Sequence, residues 1–205
     1  INQLRIIKEQ SFMREKNKSV IITGANKGIG FATTKKFIKN GYKIFFCSRL
    51  EKLNKAQGIQ SFTEEENERI IPIYFDLNDE NSLIDAAKKI KDTDIEIEAL
   101  INNAGTISTN LFLMTKIEEM KKMFNTNFFS TLFFTQQIVK IFMRQKKGNI
   151  INVSSTASQD PVPGRVVYSS IKASYNISSQ ILSKELASFN IRVNAIAPGL
   201  TDTDL

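Results

Sequence analysis

At 205 residues, 41% hydrophobic and 24% charged, the chain suits one globular domain with a substantial core. It has no histidine and a single cysteine, Cys47, so no internal disulfide can form and no metal site is expected. The net charge of +7 comes from lysines scattered as KK and KxxK pairs, which read as a solvated surface rather than a nucleic-acid interface, and no apolar stretch reaches the roughly 18 residues of a membrane span.

The opening INQLRIIKEQSF carries charges where a signal peptide needs an apolar stretch, so a cytoplasmic protein is expected. Residues 1–18 read as an N-terminal extension, with Met13 a candidate start, ahead of one domain over 19–205. β-Branched or aromatic runs then recur: SVIIT (19–23), KIFFCS (43–48), IIPIYF (70–75), ALIN (99–102), GNIINVS (148–154) and IRVNAIA (191–197). Between them lie the helical stretches FATTKKFIKN, SLIDAAKKIK, one long IEEMKKMFNTNFFSTLFFTQQIVKIFMRQ, and SSIKASYNISSQILSKELAS; EEENER (64–69) reads as a charged connection. Strands alternating with helices predict an α/β domain, a single doubly wound parallel sheet with helices on both faces.

The first strand runs into GANKGIG, whose Gly24, Gly28 and Gly30 allow unusual dihedrals and close approach of backbone to ligand, while the helix start that follows suits a phosphate. The second strand ends in Ser48 and Arg49, with no carboxylate to hold a ribose diol; Arg49 and Lys27 are the cations for a 2′-phosphate, which predicts NADP(H). In YSSIK, Tyr168 and Lys172 share a helix face, so the lysine charge can lower the phenol pKa and let tyrosine stand in for the missing histidine.

TGANKGIG, INNAG (101–105), YSSIK and APG (197–199), in that order, resemble the classical short-chain dehydrogenase/reductase family over residues 19–205. The resemblance implies a Rossmann fold in which Ser155, rather than Ser154, orients the substrate for Tyr168. It implies that Asn127, with Asn125 as the competitor, helps hold a water linking the lysine to solvent. It further implies that Tyr168 and Lys172 contact the nicotinamide ribose region, that Asn26 and Ile29 join the glycine loop around the cofactor, and that Asn103, Ala104 and Gly105 line it. Asp76 and Leu77 would flank the adenine, and Pro198, Gly199 and Thr201 the nicotinamide.

The function implied is hydride transfer between NADP(H) and a carbonyl or alcohol. NLFLMTK and SKELASFNIRVNAIAPG resemble the 3-oxoacyl-[acyl-carrier-protein] reductases of fatty acid synthesis, with Lys146 and Lys147 as docking cations at the active-site entrance, although Phe189 stands where that subfamily tends to have arginine. A sugar, steroid or other small ketone stays open as the substrate, as does a non-catalytic nucleotide-binding protein on the same fold. The apolar helix FNTNFFSTLFFTQQIVKIF and the Tyr168 helix predict a homodimer or homotetramer. Because TDTDL follows APG so closely, a further substrate-covering segment and last strand are expected beyond it.

Overall fold

The computed structural model of the protein describes residues 18–49 and 61–202. The expected N-terminal extension, Lys18 apart, and its candidate start at Met13 lie outside the described residues, as do residues 203–205.

Six strands form one parallel sheet: β1 (Ser19–Thr23), β2 (Lys43–Ser48), β3 (Ile70–Tyr74), β4 (Ile97–Asn102), β5 (Gly148–Val153) and β6 (Ile191–Ile196). Their order, β3-β2-β1-β4-β5-β6, is that of the doubly wound Rossmann sheet. Successive side chains of a strand leave on opposite faces. Ile21, Phe45 and Leu100 therefore enter one core with Leu83, Ala86 and Phe134, while Val20, Ile22, Ile44 and Phe46 enter a second with Ile38. With both faces covered, β1 and β2 are apolar runs, whereas the edge strand β6 alternates, burying Ile191 and Val193 and exposing Arg192 and Asn194.

The helices are α1 (Gly28–Lys39), α2 (Glu64–Asn67), α3 (Glu80–Asp92), α4 (Ile117–Phe124), α5 (Ser130–Gln145) and α6 (Val166–Glu185), of which α1, α3, α5 and α6 pack on the sheet. Two of them revise the reading of the sequence. EEENER is not merely a connection: Thr63 and Glu66 form a reciprocal capping box that starts the one-turn α2. The long helix before β5 is two helices, α4 and α5, joined by a π-helical turn over Asn125–Phe129, in which the Asn127 side chain turns inward and is buried. Among the described residues no helix is long and apolar enough to cross a membrane.

Candidate active site

β1 and β4 are neighbours from which the chain departs toward opposite edges, so a crevice opens beyond their carboxyl ends. Thr23, the last residue of β1, stitches the two loops there. Its hydroxyl accepts from the main-chain amides of Asn103 and Ala104 at 2.9 and 3.0 Å and donates to the Ile101 carbonyl at 3.3 Å. Asn103 Nδ2 donates in turn to the carbonyls of Thr23 (3.1 Å) and Gly24 (3.2 Å). The glycine loop fits this stitch tightly: Gly24 and Gly28 have φ of 64° and 51°, and a Cβ on Gly30 would come within 2.2 Å of the Gly24 carbonyl oxygen. α1 starts here with no side-chain cap on its first amides and no acidic residue in its first turn. The crevice thus meets a helix start that attracts anions.

The crevice is one cleft in two halves, both lined by Ile29, Asn103, Gly105 and Thr106. One half runs past Gly24, Asn26, Lys27 and Arg49 to Asp76 and Leu77. Asp76 Oδ1 accepts from the main-chain amide and Nδ2 of Asn78, both at 2.9 Å, and Asn78 accepts from the Thr126 hydroxyl at 2.7 Å, which ties the π turn to this wall. Gly30 is buried under this loop, where a bare Cα lets it close against the Gly24 carbonyl and the Asn103 side chain, and Gly24 packs against Ala104.

The other half brings together Ser155, Tyr168, Lys172, Pro198, Gly199 and Thr201, with Asn127 at its back. β5 ends at Val153, and the two serines that follow diverge. Ser154 is buried and donates to the Lys172 carbonyl at 2.9 Å. Ser155 lines the pocket, its oxygen accepting from the Ala157 amide at 3.2 Å and its proton left for a ligand. Lys172 donates to the Val153 carbonyl at 2.6 Å, and burial pushes its pKa down from 10.5 to about 8. Its ammonium lies 5.7 Å from the centre of the Tyr168 ring. Asn125 is exposed, whereas Asn127 is only 1% exposed and grips Thr106 at both ends: Nδ2 donates to the Thr106 carbonyl (2.6 Å) and Oδ1 accepts from the Thr106 amide (2.8 Å).

Several supports escape a reading by motif. Beneath the cleft, Asn102 donates to Thr135 (2.9 Å) and Asn152 (2.8 Å), and Asn152 donates to Ser179 (2.8 Å), a polar chain from α5 through the sheet to α6. Tyr175 is buried beside Lys172, a position signalled by its spacing of i, i+4 and i+7 with Tyr168 and Lys172. The expectation that Lys146 and Lys147 flank the entrance is not met. They precede β5, so its whole length, roughly 20 Å, separates them from Ser155, and Lys147 is paired with Glu96. Phe189, just before β6, lies at that same far end of the sheet.

The glycine cradle, the uncapped helix start and the two cations fit a dinucleotide phosphate. The chain belongs to the short chain dehydrogenase family, whose model matches residues 18–205. It is 35% identical over 95% of its length to a 3alpha-hydroxysteroid dehydrogenase of Mediterraneibacter gnavus, covering 78% of that protein. It is 30% identical over 92% of its length to the 3-oxoacyl-[acyl-carrier-protein] reductase FabG of Chlamydia pneumoniae, covering 75% of it. Its fold matches a structure of ElxO with NADP bound at a TM-score of 0.85 and 31% identity, over 92% of this chain and 75% of that one.

Proposed function

We propose that the protein interconverts a ketone and its secondary alcohol with NADP(H), using Tyr168 as proton donor and acceptor, Lys172 as its electrostatic partner and Ser155 as the clamp on the reacting oxygen. One observation carries the reading: a buried lysine ends 5.7 Å from the Tyr168 ring in the same pocket half as a serine with an available hydroxyl. The likeness to ElxO, solved with NADP, supports the choice of dinucleotide. When bound, it supplies the hydride that no side chain can.

In the direction of reduction, the Ser155 hydroxyl donates to the substrate carbonyl and holds its oxygen toward Tyr168. As the carbonyl carbon gains a hydride, Tyr168 gives its proton to the oxygen. The Lys172 ammonium, itself buried, stabilises the phenolate left behind. Of the three ammonium donors of Lys172, one is held by Val153, leaving others for the nicotinamide ribose. Asn127 acts at a distance, holding the Thr106 segment that lines both halves of the cleft.

Names carried by relatives make 3-oxoacyl thioesters and steroid ketones the first substrates to try. The setting is cytoplasmic, where a reduced thiol such as Cys47 persists. The protein works as a homodimer or homotetramer: Phe129, Ile177 and Ile181, 58%, 54% and 50% exposed on the π turn and α6, are apolar surface for a second copy to cover. Light scattering at micromolar concentration will give a multiple of the chain mass, and a monomer there refutes the assembly.

The mechanism is tested with Tyr168→Phe, which removes the proton and keeps the ring. NADPH oxidation with whichever of these ketones is turned over falls by about 10²–10⁴-fold while NADPH still binds. Turnover near the wild-type rate would remove Tyr168 from its role.

A further inference from the structure

We propose that Tyr175 is a positioning residue of this reaction centre, its hydroxyl fixing the Asn127 carbonyl and its ring face holding the Lys172 ammonium beside Tyr168. The inference builds on the roles given above to Tyr168 and Lys172. Tyr175 follows them on one face of α6 and is 2% exposed, its ring tilted against Phe128 at 5.9 Å and packed among Met123, Val167 and Ile171. Lys172 Nζ lies 5.0 Å from the Tyr175 ring centre and 5.7 Å from that of Tyr168, so the ammonium sits within cation–π range of both rings.

Packing alone does not call for the phenol. Phenylalanine would fill this apolar cluster, and a buried hydroxyl is costly unless it is bonded. Here it is bonded: the Tyr175 hydroxyl donates to the main-chain carbonyl of Asn127 in the π turn. Burial pushes its pKa up, so it stays a neutral donor. The Asn127 side chain holds Thr106 through both main-chain groups, and Thr106 lines both halves of the cleft. One side chain thus touches the lysine with its ring and, two hydrogen-bonded links away, steadies the cleft floor with its hydroxyl.

The two parts act on different observables. Among the described residues, the ionisable groups near Lys172 are Tyr168 and Tyr175 on its own helix and Arg165 in the pocket wall. β5 contributes the Val153 carbonyl and the serines after it, the π turn contributes Asn127, and the 198–201 segment is uncharged. Burial lowers the lysine pKa, and an aromatic face favours the ammonium and opposes that fall. Removing the Tyr175 ring leaves burial opposed only by the more distant Tyr168 ring; removing only the hydroxyl leaves both rings in place.

The test is made on the ligand-free protein labelled with ¹³C at lysine Cε, with the Lys172 signal assigned by its loss in Lys172→Met. In Tyr175→Leu its NMR titration moves toward acid by about half a pH unit or more. In Tyr175→Phe the titration stays in place, but NADPH binding, read by fluorescence, weakens about fivefold because the Asn127 carbonyl has lost its donor. An unmoved titration in Tyr175→Leu overturns the role of the ring, and unchanged NADPH binding in Tyr175→Phe overturns that of the hydroxyl. If Tyr175→Leu does not fold, Tyr175→Met supplies the ring-free comparison with a side chain that adapts to the gap. Neither readout depends on turnover, so each stands or falls apart from the result with Tyr168→Phe.

Discussion

The two halves of the cleft solve different problems with different materials. In the reaction half the polar groups are fixed by other groups: Lys172 on the Val153 carbonyl, Ser154 on the Lys172 carbonyl, Asn127 on Thr106. In the dinucleotide half the wall is glycine loop and main chain, and the cations stand nearer the surface, with Arg49 exposed and Lys27 partly so. Proton transfer needs donor and acceptor held in line within fractions of an ångström, so positions there are over-determined. A phosphate is attracted over longer distances and accepts donors from several directions, so adjustable side chains serve it well. On the proposed mechanism, rigidity is concentrated where a proton would move, and adjustability where a charge would be met.

That contrast predicts a conflict between stability and activity in the reaction half. Burying the Lys172 ammonium costs folding free energy, because its pKa falls from 10.5 to about 8 in the native state. Between those values the unfolded chain binds more protons than the native one, so wild-type stability rises with pH across that window. Lys172→Met, of similar length and uncharged, removes the cost. At pH 7 it stabilises the protein by up to about 3 kcal/mol, less whatever is lost with the Val153 hydrogen bond, while abolishing turnover. Thermal melts from pH 7 to pH 10.5 read the effect: the gap between variant and wild type narrows as pH rises. A gap that ignores pH would show that the buried charge is not its source.

The strands were legible because a sheet buried on both faces writes itself as apolar runs such as SVIIT and KIFFCS. The joint between α4 and α5 was not, since a π turn leaves the apolar pattern through FNTNFF unbroken and is set by a tertiary grip, Asn127 on Thr106, between elements far apart in sequence. α2 could have been read from Thr63 and Glu66 at capping-box spacing, had the charges of EEENER not masked it. Tyr168, Lys172 and Ser155 could be named from motif order, and they meet in one pocket. The spacing of Tyr175 from Tyr168 and Lys172 puts it on their helix face, but its hydroxyl's partner, a main-chain oxygen on another element, is one to which no side-chain pattern points. Lys146 and Lys147 misled because their charge was weighed without strand direction: residues before a parallel strand lie at the end of the sheet away from the crevice.

The dinucleotide half gives the smaller effect. β2 ends in Ser48, buried, followed by Arg49, exposed in the cleft wall, and among the described residues no carboxylate of that strand end lines the groove. A 2′-phosphate would meet the guanidinium of Arg49 and the ammonium of Lys27, a charged pairing that a bare 2′-hydroxyl would not make. NADPH should therefore be preferred to NADH by at least about tenfold in kcat/KM, or about 1.4 kcal/mol, which is modest for a charged contact because water and salt screen exposed cations. Arg49→Ala should bring NADPH down toward NADH and leave NADH nearly unchanged, since that cofactor has no phosphate to lose. The preference should also shrink as salt rises from 50 mM to 500 mM, a range that shortens the screening length from about 14 to about 4 Å. The Tyr168–Lys172 pair, with its lysine buried, should respond less over the same range. Steady-state rates with both cofactors at each salt concentration decide the matter: equal efficiency with NADPH and NADH in the unmodified protein would mean that Arg49 and Lys27 are ordinary surface charges.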